Sequence, residues 1–155
     1  MVLRIIRNML GITFFAVLFY FALIHLEESL VYNMVIPMAG MNTEQWVSAF
    51  RKLAVIGIGV AWISAILWYV TAQWSIKVNK FSEAGKRAIW SLFFLFPVLT
   101  IVVIILLLPQ AQEGSYISYF LQFLNGILSY YLGTLLFSPS SFKYTPPLAK
   151  VFRRW

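Results

Sequence analysis

Four apolar runs divide the chain, at about residues 9–25, 53–74, 88–108 and 116–137. A helix of about 17–25 residues crosses the ~30 Å of hydrocarbon in a bilayer, and each run is long enough. Polar residues gather between the runs, in segments 26–52 and 75–87 and in the short turn Pro109–Ser115. In lipid the backbone has to satisfy its own hydrogen bonds, so such runs predict helices. The pattern predicts an all-α integral membrane protein, a four-helix transmembrane bundle over residues 1–137 with a separate tail over 138–155.

The last run differs from the others. Ser118, Gln122, Asn125, Gly126, Ser129 and Gly133 recur at steps of three and four, so they share one helix face. Bulky Tyr119, Phe120, Phe123, Ile127 and Tyr130 cover much of the rest. Within lipid, small residues let backbones approach and amides bond across the contact. The stripe therefore predicts a packing seam, or the lining of a pore if several copies assemble. The second run offers a matching face in Gly57, Ala61 and Ala65, a small-xxx-small series. The third run is apolar except for Ser91, Pro97 and Thr100, and Pro97 predicts a kink. The turn after it is short, so the third and fourth helices should be antiparallel neighbours.

Segment 26–52 reads as an outside loop. Leu30, Val31, Met34, Val35 and Met38 have helical spacing within it, which predicts a helix lying on the membrane surface. Asn42 or Thr43 is placed to cap a following helix, and Trp46 to sit at the headgroups.

Charge then orients the chain. Of the 12 Lys and Arg residues, two precede the first run, four lie in loop 75–87 and four in the tail. The outer segments hold only Arg51 and Lys52, together with four of the five acidic residues. Positive loops stay in the cytoplasm, so both termini are predicted there. The first run, with no small-residue cleavage site after it, reads as a retained signal-anchor. The net charge of +7 is accounted for by these flanking segments, so no nucleic-acid partner is expected. No Asn-x-Ser/Thr site occurs, which points to a bacterial inner membrane.

Little catalytic chemistry is on offer. The chain has no Cys and a single histidine, His25, and all five acids are Glu at or beyond the ends of the runs. Thiolate chemistry and disulfides are excluded, and the spacing around His25, Glu27 and Glu28 is not that of a zinc site. No enzyme activity, metal or cofactor is expected.

The tail mixes aromatic and basic residues: Phe142, Lys143, Tyr144, Lys150, Phe152, Arg153, Arg154 and Trp155. Such a strip contacts anionic headgroups or a protein partner, and LAKVFRRW can form a short amphipathic helix. The sequence reading is a non-catalytic small membrane subunit that anchors or scaffolds a multi-protein complex. Bacterial secretion, conjugation, exclusion and phage-defence systems use subunits of this size and topology. Its partners would be anionic lipid, membrane or cytoplasmic proteins, and copies of itself. The alternative is a homo-oligomeric channel or membrane-perturbing pore lined by the fourth helix.

Overall fold

The computed structural model describes residues 2–33, 42–78, 82–107, 116–139, 142 and 145–152. Four long helices account for most of them: α1 (Val2–Tyr32), α2 (Thr43–Val78), α3 (Glu83–Leu107) and α4 (Tyr116–Phe137). A short α5 (Ala149–Phe152) lies in the tail. All four long helices are long and apolar enough to span a membrane.

The helices begin where side chains replace the missing backbone acceptors. Asn42 Oδ1 accepts the Gln45 N–H at 2.7 Å and caps α2. Ser82 Oγ accepts the Gly85 N–H at 3.2 Å and caps α3, with Glu83 in the first turn. Helix α3 runs continuously through Pro97, which lies buried.

Two helices outrun their apolar cores. At 1.5 Å per residue, α1 is about 46 Å long and α2 about 54 Å. Segment 26–52 is therefore not mainly a loop: it closes α1 and opens α2, while residues 34–41 lie outside the described residues. The physical reason is that hydropathy marks where lipid tolerates a side chain, whereas a helix continues as long as its backbone bonds do. Glu27, Glu28, Arg51 and Lys52 interrupt the apolar pattern without interrupting the helices. Met34, Val35 and Met38 of the expected surface helix lie outside the described residues.

The packing is uneven. Half of the span in α4 and 44% of that in α2 is buried, against 22% for α1 and α3. Helices α2 and α4 pack on each other and on both outer helices, so they form the central pair. Large apolar side chains such as Leu10, Phe14, Phe21, Leu95 and Leu99 point outward. One end of the bundle, here the terminal end, gathers the start of α1, the end of α2, the start of α3, the end of α4 and the tail. Its core contains Ile12, Trp68, Tyr69, Trp90, Tyr130 and Phe142. At the opposite, far end, Leu23, Ile24, Phe50, Ala54 and Leu121 form a second cluster, and Val31, Trp46 and Val47 a third.

Candidate functional site

The α4 stripe faces inward within a single chain. Ser118, Gln122, Asn125, Gly126, Ser129 and Gly133 are all buried. Across from them on α2, Gly57, Ala61 and Ala65 are buried too. A Cβ on Gly133 would lie 3.8 Å from Ala65 and 3.7 Å from Ile12, so α1, α2 and α4 meet there. A Cβ on Gly57 would come within 3.9 Å of Gln122 Oε1 and 3.1 Å of Ile104. At Gly126 it would come within 2.7 Å of Ile101, so the absence of a side chain sets the α3–α4 distance.

At the far end the seam terminates in a buried carboxyl group. Glu27 is 0% exposed. Its Oε1 accepts the Ser118 hydroxyl at 2.6 Å and the Trp46 indole N–H at 3.1 Å. One carboxyl thereby joins α1, α2 and α4. The neighbouring Glu28 faces outward and forms an ion pair with Arg51 on α2. Trp46 is consequently not a headgroup anchor: it is buried because its N–H is committed to Glu27.

Below this knot the polar atoms are sparsely paired. Gln122 Nε2 donates to the Phe50 carbonyl at 3.3 Å. Glu27 Oε2, Gln122 Oε1, both amide atoms of Asn125, Ser129 Oγ and Trp68 Nε1 are buried and have no hydrogen-bond partner among the described residues. An unpaired buried polar group costs about 1–3 kcal/mol, and replacing it by an apolar group of similar shape is near neutral or favourable. Asn125→Leu is therefore expected to leave thermal stability in detergent unchanged or raise it by about 1 kcal/mol. A large loss of stability would mean that the amide is bonded in the folded protein.

The terminal end is bonded more completely. Trp90 donates its indole N–H to Thr134 at 3.0 Å, and Tyr130 donates to the Trp90 carbonyl at 2.9 Å. Tyr130 is thus an inward residue and no part of the outer face of α4. Asn8 and Gln73 both donate to the Tyr69 hydroxyl at 3.1 Å.

The tail folds back onto this end. Phe142 is 2% exposed and packs edge-on to Trp68, with ring centroids 6.3 Å apart. Lys86 of α3 places its ammonium 5.3 Å from the centre of the Phe142 ring. Phe142 is therefore a core residue that fastens the tail, and Tyr131 reinforces it by donating to the Pro147 carbonyl. Lys150 and Phe152 lie in α5. Lys143, Tyr144, Arg153, Arg154 and Trp155 lie outside the described residues.

His25 is exposed, and among the described residues no three His, Cys, Asp or Glu side chains come together to hold a metal. Glu27 is the site residue that sequence reasoning missed. Its signal was the inward register of α1: Ile12, Ala16, Leu23, Glu27 and Val31 follow steps of four, seven, four and four, and all are buried. No family model matches the chain, and neither a curated protein nor a solved structure matches it.

Proposed function

We propose that the protein is a non-catalytic membrane subunit that anchors or scaffolds a multi-protein complex in a bacterial inner membrane, with both termini in the cytoplasm. The observation that carries this reading is the attachment of the tail. Phe142 in the core holds the aromatic and basic segment at one end of the bundle, so this segment starts from a fixed position. A tail secured in this way presents its cations to a partner at lower entropic cost than a free one. The lysines and arginines of the N-terminus, the α2–α3 connection and the tail share that end, which supports the cytoplasmic assignment. Secretion, conjugation, exclusion and phage-defence assemblies are the settings in which such a subunit fits.

The test follows from the packing. Deleting residues from 142 onward would remove a core aromatic as well as a docking strip, so charge reversal is the cleaner change. The variant Lys143→Glu, Lys150→Glu, Arg153→Glu, Arg154→Glu is expected to keep the bundle folded in detergent. It is expected to lose the stoichiometric protein partner that the wild type retains on purification from native membranes. A folded variant that keeps every partner would refute tail docking.

The competing reading, a homo-oligomeric pore lined by α4, requires the buried stripe to turn away from α2. Ion flux through liposomes containing only this protein, lost in Gln122→Leu and Asn125→Leu, would favour it.

A further inference from the structure

A cleft of about 350 Å³ opens at the terminal end, between the first turns of α3 and the returning tail. Arg87, Trp90 and Ser91 form one wall, and Thr145 to Ala149 the other. We propose that this cleft binds the phosphodiester headgroup of an anionic phospholipid, whose acyl chains run along α3. The proposal goes beyond the scaffold reading and requires only that the bundle crosses a bilayer.

Charge gives the first argument. Arg87 is exposed and makes no hydrogen bond or ion pair among the described residues. The nearest acid, Glu83, is already paired with Lys86. A guanidinium with its donors free matches a phosphate, which it can hold through two parallel hydrogen bonds.

The second argument is a polar side chain without a partner. Thr145 lines the cleft and is only 4% exposed, yet its hydroxyl makes no hydrogen bond among the described residues. A phosphate oxygen in the cleft supplies an acceptor on that wall, and Ser91 adds a second hydroxyl on the opposite wall.

The third argument separates a lipid from a free anion. Arg87, Ser91, Leu95, Val98 and Val102 recur at steps of four, four, three and four, so they form one stripe along α3. The stripe passes from cation to hydroxyl to apolar, and Leu95 and Val102 are about half exposed. From Ser91 to Val102 the helix rises about 16 Å, close to one ~15 Å leaflet of hydrocarbon. A soluble phosphate would use only the first two positions of this stripe.

The experiment uses the full chain in a neutral detergent. Unfolding temperature is followed during titration with phosphatidylglycerol, with phosphatidylcholine and with glycerol 3-phosphate. Phosphatidylglycerol is expected to raise it saturably, with the other two weaker. Arg87→Gln combined with Ser91→Ala should weaken the apparent phosphatidylglycerol affinity about tenfold, the loss of roughly one charge-assisted contact. Arg7→Gln, a control at the same end but outside the cleft, should leave it unchanged. Because Arg87 is exposed, the variant is not expected to fail to fold, and lipid retained on the intact protein by native mass spectrometry gives a second readout. Equal stabilisation by phosphatidylcholine would overturn the preference for an anionic lipid. Equal stabilisation by glycerol 3-phosphate would mean a free-anion site. An unchanged affinity in the double variant would remove the cleft from the account.

Discussion

Glu27→Ala is expected to destabilise the bundle by about 3–5 kcal/mol, the usual cost of removing one partner from a buried polar knot. The loss has identifiable parts. The Ser118 hydroxyl and the Trp46 indole N–H would both be left buried without their acceptor, at about 1–3 kcal/mol each. A void would remain where a fully buried side chain had been. Glu27→Gln keeps an oxygen where Oε1 now stands and should lose far less. Trp46→Phe removes one donor and should fall between them. Unfolding of the purified variants in detergent ranks the three. If the alanine variant melts with the wild type, the contact between α1, α2 and α4 does not depend on this carboxyl.

The second large effect is expected at Gly126. Even a methyl group there would lie 2.7 Å from the end of the Ile101 side chain. Ile101 can yield to alanine, but leucine has to push α3 from α4. Gly126→Leu should cost about 1–3 kcal/mol or more, the range for overpacked cores. Gly59→Leu is the matched control, because nothing lies within 4 Å of a Cβ at that position. It should be neutral or slightly stabilising, since leucine is a better helix former than glycine. A similar loss in both variants would trace the effect to helix propensity and not to the α3–α4 contact.

The fold was legible to the extent that it follows from solvation by lipid. Four apolar runs mark four helices, and the polar face of α4 can be read from spacing alone. The helix ends could not be read in this way. A charged residue stops an apolar run but does not break a helix, so Glu28 and Arg51 looked like loop residues although they pair between α1 and α2. Glu27 was obscured for the same reason. A carboxyl at the edge of a span suggests exposure until its partners are known, and those partners are distant in sequence. Trp46 and Phe142 were read as interfacial because tryptophan and aromatic-basic strips usually are. Tertiary partners, the Glu27 carboxyl for one and the Trp68 ring for the other, draw them inward instead.

The bond between Ser118 and Glu27 links residues 91 positions apart. On a ribosome, the carboxyl emerges long before the serine that completes its cage. Trp46 arrives first and supplies one of the two donors, and the other is made only with the start of the last helix. Closure of the far end is therefore bound to the completion of synthesis. A chain that stops after α3 still has three hydrophobic helices, but it lacks both the seam of α4 and the second donor to Glu27.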